Sequence, residues 1–133
     1  MTDYAFGKNS RLLTAGEFKA VFDQASLKVS VKFILFLARP NGLSHSRLGM
    51  IVAKKNIRKA VQRNRVKRIV RESFRHQKKY APNIDVIFLA RKGLDQLDNQ
   101  SMHQELDELW NRINKKVQSI NKEQSSLLPY KSD

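Results

Sequence analysis

The chain contains no cysteine. That removes any disulfide framework and any thiolate metal site, and it fits a reducing cytosol. Acidic residues are scarce. Only 12 Asp and Glu stand against 26 Lys and Arg, giving a formal net charge of +14 and a pI near 10.4. Such an imbalance points to nucleic acid or an anionic surface as partner. No run reaches the ~18 consecutive apolar residues of a membrane span, and the first residues lack the charged-then-apolar pattern of a secretory signal. A soluble, cytoplasmic protein without a membrane partner is the expectation. Catalytic groupings are missing too. His45, His76 and His103 fall in separate predicted elements without ligand spacing, and no phosphate-binding loop ending in Lys-Ser/Thr occurs. Glu105, Asp107 and Glu108 crowd one predicted helix and read as solubilising charge. No active site carried by the protein alone is predicted.

What the chain does have is 133 residues with 41% hydrophobic content, enough for one modest core. It also has a concentrated cationic stretch. Residues 54–79, KKNIRKAVQRNRVKRIVRESFRHQKK, hold twelve Lys or Arg and a single acid, Glu72, and so carry +11 of the total charge. At 100° per residue, Val66, Ile69, Val70, Ser73, Phe74, Gln77 and Tyr80 share one side of a helix, with Asn64, Arg68, Arg71 and Arg75 opposite. One side is suited to a core and the other to a polyanion. With almost no acidic partner at i+4, the arginines repel one another until an anion arrives. The guanidinium fork suits phosphate oxygens and base edges, and Asn64 adds a group that both donates and accepts. A solvated charged face is the plainer reading of such a run; these details favour nucleic-acid binding. Asn56 is the predicted cap of this helix.

Along the rest of the chain, residues 1–12 are predicted to form a mobile arm and 119–133 a polar, disordered tail, flanking one domain over 1–118. Thr14 and Glu17 spell a capping box, with Leu13 and Phe18 as a hydrophobic staple. Phe18, Val21, Phe22 and Ala25 follow at helical spacing, so both phenylalanines read first as core. Residues 29–38 read as one strand. Its alternation places Val29, Val31, Phe33, Leu35 and Leu37 inward, and Ser30, Lys32, Ile34 and Phe36 on a mixed outer face. Pro40, Asn41 and Gly42 make a turn, with a further short strand possible around 43–47. A second strand spans 47–53, where Gly49 marks a bulge or a close backbone approach. The basic helix stops near Ala81–Pro82. A third strand spans 84–90, within which Asp85 is predicted to be a paired structural carboxylate. The last helix starts near Asp98 or Asn99 and buries Met102, Leu106, Leu109, Ile113 and Val117, with Trp110 as a packing anchor. The order helix, strand, strand, helix, strand, helix implies an α+β two-layer sandwich with a small sheet.

The motif RNRVKRIVRESFR (63–75), preceded by RLGMIVAKK (47–55), resembles the bacterial ribonuclease P protein component. LLTAGEFKAVF (12–22) and IDVIFLARKG (84–93) extend the likeness over residues 11–115 in the family's order. The resemblance implies a ribosomal protein S5 domain 2-like fold with a left-handed βαβ crossover, against the general right-handed expectation. It also implies a function. The chain would be the protein subunit of a ribonucleoprotein that removes the 5′ leader of precursor tRNA, with the catalytic centre and its Mg²⁺ held by the RNA subunit. The family's RNA-binding motif maps onto Arg63, Asn64, Arg65, Lys67, Arg68 and Arg71, with Arg75 and Lys55 beside it. Its leader-binding cleft, between the first helix and the sheet, maps onto Phe18, Phe22, Phe36, Lys54 and Arg91. The alternative is a ribosomal or general structured-RNA-binding protein without a processing role. A major-groove DNA reader and an autonomous nuclease are further rivals, and no DNA partner is expected.

Overall fold

A computed structural model describes residues 14–77 and 83–127. Helix α1 (Ala15–Gln24) leads into strands β1 (Leu27–Val31), β2 (Ile34–Pro40) and β3 (Arg47–Ile51). Helix α2 (Ala60–Gln77) connects β3 to β4 (Ile84–Ala90), and a short 3-10 turn (Leu94–Gln96) precedes α3 (Asn99–Leu127). The sheet order is β1-β2-β4-β3. β1, β2 and β4 are antiparallel neighbours, while β3 and β4 run parallel across the α2 crossover. This is the α+β sandwich expected, with one strand more. The predicted arm, Leu13 of the staple, Tyr80 and the stop at Ala81–Pro82 lie outside the described residues. The backbone of α3 is helical to Leu127, past Ser119, where a polar tail was expected to begin.

The additional strand comes from a correction at residues 29–38. They form a hairpin, not one strand: Val31 pairs with Ile34 across a turn at Lys32 and Phe33. Residues paired directly across an antiparallel ladder share a face, so the turn resets the alternation. Ile34, Phe36 and Ala38 point into the core, and Leu35 and Leu37 lie half-buried on the other face. Neither turn residue is Gly, Pro, Asn or Asp, the usual marks of such a turn. Residues 43–46 add no strand, and Gly49 sits in unbroken register opposite Ile87, without a bulge.

The main core lies between one face of the sheet and helices α2 and α3. Phe36, Phe88, Phe74 and Trp110 are its largest side chains, with the Phe36 and Trp110 ring centroids 4.7 Å apart. Every α3 position expected to be buried is buried. Burying an indole strands its N–H unless an acceptor is near; Trp110 Nε1 donates to Ser73 Oγ of α2 at 2.8 Å. Asp98 caps α3, its Oδ1 accepting from Ser101 N at 2.7 Å. Asn56 does not cap α2. Its Nδ2 donates to Ala90 O at 3.0 Å, pinning the β3–α2 loop to the end of β4, with Ile57 beside it buried in the core.

Candidate nucleic-acid interface

Helix α2 exists because its inner stripe, Val66, Ile69, Val70, Ser73 and Phe74, is buried. That burial forces the remaining positions outward, and they are mostly cationic. Asn64 and Arg68 are exposed, while Lys67, Arg71 and Arg75 are half-buried. Val61, in the first turn, is 69% exposed. A shallow groove runs between Val61, Asn64, Arg65, Arg68 and Arg71. A second hollow, lined by Lys55, Arg58, Lys59 and Lys92, opens where the β3–α2 loop meets the 3-10 turn.

The cationic residues of this face divide by what they touch. Arg63 Nη1 donates to Ile57 O at 3.0 Å and Arg58 O at 2.7 Å, closing the loop that enters the helix. Arg65 is committed further. Its Nε donates to Gln62, its Nη1 to Asn99 Oδ1 at 2.6 Å, and its Nη2 to Asp95 O and Leu97 O. Both arginines therefore hold the approach to α2 and α3 in place as well as adding charge. Arg68, Arg71 and Lys67 have no hydrogen-bonded or ion-paired partner among the described residues. Arg75 buries its Nε without a hydrogen-bond partner among the described residues. Lys55 is exposed.

The second face of the sheet carries α1. The capping box forms as the sequence predicts: Thr14 Oγ1 accepts from Glu17 N, and Glu17 Oε1 accepts from Thr14 N, each at 3.1 Å. Val21 and Ile87 form the buried centre, with Phe18, Ile51 and Leu89 partly buried around them. Phe18 is thus half-buried at the helix–sheet junction, and Phe22, one turn on, is 44% exposed. Lys54 and Arg91 are exposed beyond the ends of the parallel strands β3 and β4, at one end of the sheet. Arg91 Nη1 also donates to Val31 O at 3.2 Å.

Phe36 does not belong with them. It is fully buried on the opposite face, against Trp110 and Phe88. The hairpin turn at Lys32 and Phe33 is the physical reason, since it reverses which residues of β2 face α1. Of the three phenylalanines expected at a leader-binding cleft, Phe18 and Phe22 remain on the α1 side of the sheet.

At the other end of this face lies a charged network that sequence reasoning only half found. Asp85 is fully buried on β4, as a paired carboxylate. Arg47 donates to it twice, Nε to Oδ1 and Nη2 to Oδ2, each at 2.8 Å. Arg39 donates to Oδ2 from Nη2 at 3.1 Å, and Asn41 Nδ2 to Oδ1 at 3.0 Å. Burial by itself would raise the Asp85 carboxyl, but the hydrogen bonds from Arg47, Asn41 and Arg39 outweigh it and hold it below its ordinary value. The same pairing raises Arg47. The signal for this network was available: a carboxylate inside an apolar strand requires cations, and Arg39 and Arg47 are in register with Asp85.

Among the described residues, no group of three or more His, Cys, Asp or Glu is placed to hold a metal ion, and no helix is long and apolar enough to cross a membrane. Fold and surface together define a small, strongly basic α+β domain that turns an arginine-bearing helix outward, as polyanion-binding proteins do. The comparison with known proteins is specific. The ribonuclease P family model matches residues 6–114, and the chain belongs to the bacterial ribonuclease P protein family. It is 51% identical over 117 residues to the ribonuclease P protein component of Chromohalobacter salexigens, covering 88% of this chain and 91% of that one. Against the component from Pseudomonas aeruginosa the identity is 50% over 113 residues, covering 85% and 84%. The solved structure of the RNase P protein from Thermotoga maritima aligns with a TM-score of 0.68 at 33% identity, covering 77% of this chain and 96% of that one. That of Staphylococcus aureus aligns at 0.70 and 26%, covering 74% and 90%.

Proposed function

We infer that this chain is the protein subunit of ribonuclease P, the ribonucleoprotein that removes the 5′ leader of precursor tRNA, and that it works by binding. The observation that carries the reading is the outer face of α2. There, Asn64, Lys67, Arg68 and Arg71 stand without acidic partners on a helix whose inner face is sealed in the core. This face, with Arg75 and Lys55 at its margins, docks on the catalytic RNA. Arg63 and Arg65 contribute charge while holding the helix's approach. Phosphate contacts supply most of the affinity and make it fall steeply with salt.

The cleft between α1 and the sheet receives the single-stranded leader. Phe18 and Phe22 offer ring surfaces for unpaired bases, and Lys54 and Arg91 meet the backbone phosphates at one end. Mature tRNA lacks the leader, so this grip favours substrate over product. A base stacked on an aromatic side chain is worth roughly 1–3 kcal/mol, so one or two contacts give about tenfold preference or more. In this reading Mg²⁺ is held by the RNA subunit and supplies the hydrolytic chemistry there. The protein's part is charge, orientation and leader binding in the bacterial cytoplasm.

The test is cleavage of precursor tRNA by the cognate catalytic RNA at low Mg²⁺, with and without the protein. Stimulation is expected. Its absence, with RNA binding intact, would leave a general structured-RNA-binding protein. Phe18→Ala is expected to lower the precursor-over-mature preference about tenfold while RNA-subunit affinity stays within twofold; equal loss for both tRNA forms would refute the leader role.

A further inference from the structure

Among the described residues, the apolar contact that seats α1 is small: Val21 and Ile87 are fully buried there, against more than twenty side chains in the main core. Helix α1 also has a polar hold at each end. Near its start, Glu17 splits its carboxylate: Oε1 accepts from Thr14 N, and Oε2 accepts from Arg47 Nη1 at 2.8 Å. At its last residue, the Gln24 side chain accepts from Arg39 Nη1. The two arginines then converge. Both donate to the buried carboxylate of Asp85, on neighbouring strands where Arg39 and Arg47 flank it in register.

The geometry restricts what these arginines do. Arg47 spends Nε and Nη2 on Asp85, so its remaining Nη1 has a fixed direction, toward Glu17. Arg39 likewise spends Nε and Nη2 on Asp85 and presents Nη1 to Gln24. Because the guanidinium is planar and rigid, its two sides are geometrically coupled. A fully buried carboxylate thereby holds both arginines that contact the two ends of α1.

We propose that the Asp85–Arg39–Arg47 unit is a positioning device for the cleft. Through Glu17 and Gln24 it fixes the height of α1 over the sheet, and with it the gap into which Phe18 and Phe22 admit a base. Glu17, Gln24, Arg39 and Arg47 are positioning residues; none needs to touch RNA. The proposal rests on reading this cleft as the leader site.

The outer arms give the test, because they lie at the surface and contribute nothing to the main core. Glu17→Gln keeps a capping-box side chain at that position and removes the charge facing Arg47; Gln24→Ala releases the other end. The double variant is to be measured in the assembled ribonucleoprotein beside Phe18→Ala. The expected result is a rise in KM for precursor tRNA of about three- to tenfold, with kcat at saturating substrate and RNA-subunit affinity within twofold. The rise disappears on a precursor whose leader is too short to enter the cleft. A KM unchanged by the double variant while Phe18→Ala raises it overturns the tether and leaves the cleft standing. If Phe18→Ala also has no effect, the cleft reading fails and the tether's role with it. A KM rise equal on long and short leaders, or a parallel loss of RNA binding and thermal stability, assigns these residues to folding alone and overturns the proposal.

Discussion

The two faces of the sheet are built from similar strands yet are finished differently. One is sealed by α2 and α3 over a continuous apolar core; on the other, the described residues place the short helix α1, tied to the sheet by charged and polar contacts. Apolar packing is non-directional and roughly proportional to area, so it makes the first face stable. The second carries hydrogen bonds with fixed directions, from Arg47 to Glu17 and from Arg39 to Gln24. The difference separates two tasks. One face maintains the fold, and in the proposed reading the other positions α1 for the leader.

The largest expected effect comes from Phe36, because it decides which face β2 assigns it to. Phe36→Ala is expected to destabilise by about 3–5 kcal/mol in urea or guanidinium unfolding. A loss under about 1 kcal/mol together with an altered precursor preference would return this ring to the cleft.

Next is the buried carboxylate. Asp85→Asn leaves Arg39 and Arg47 without their anion and is expected to cost about 3 kcal/mol at neutral pH. The pH dependence has a definite sign. Asp85 lies below its ordinary value of 3.8 when folded, so its contribution is complete above the unfolded carboxyl's range. It is lost as pH falls through that range and past the folded value. The wild-type denaturation midpoint should therefore drop on acidification more steeply than that of Asp85→Asn. Parallel curves would show that this carboxylate does not carry the linkage.

The smallest effects on stability distinguish arginines along α2. Arg65→Ala removes bonds to Asn99 and to two backbone carbonyls and is expected to cost about 1.5 kcal/mol along with some affinity. Arg68→Ala removes no hydrogen bond or ion pair to the described residues and should change stability by less than about 0.5 kcal/mol. It should weaken binding of the catalytic RNA and reduce the slope of log affinity against log salt by about one. Filter-binding titrations across salt, beside thermal melts, check both. Equal stability losses would erase the division drawn between them.

Much of this was legible in the amino-acid pattern. The Thr14–Glu17 capping box, strand 84–90 and the α3 stripe from Met102 to Val117 follow from local rules that the tertiary structure does not override. Phe36 falls on the opposite face because the 29–38 alternation passes through a turn at Lys32 and Phe33 that carries no turn residue. Arg63 and Arg65 lie off the periodic stripe and join the RNA-binding set only through the family motif, which does not report their partners; the carbonyls of Asp95 and Leu97 reach Arg65 only once the chain has folded. Asp85 shows the intermediate case. Its need for cations was evident from one strand, while which cations, and that they also grip α1, depended on strand register.

The Trp110–Ser73 bond carries a practical consequence. Trp110 is the chain's sole tryptophan, it is fully buried, and its indole N–H is held by the helix that turns its arginines outward. The molecule thus contains an intrinsic fluorophore at the seat of α2. Its emission wavelength and resistance to iodide quenching report, without any label, whether that helix stays seated as RNA is added.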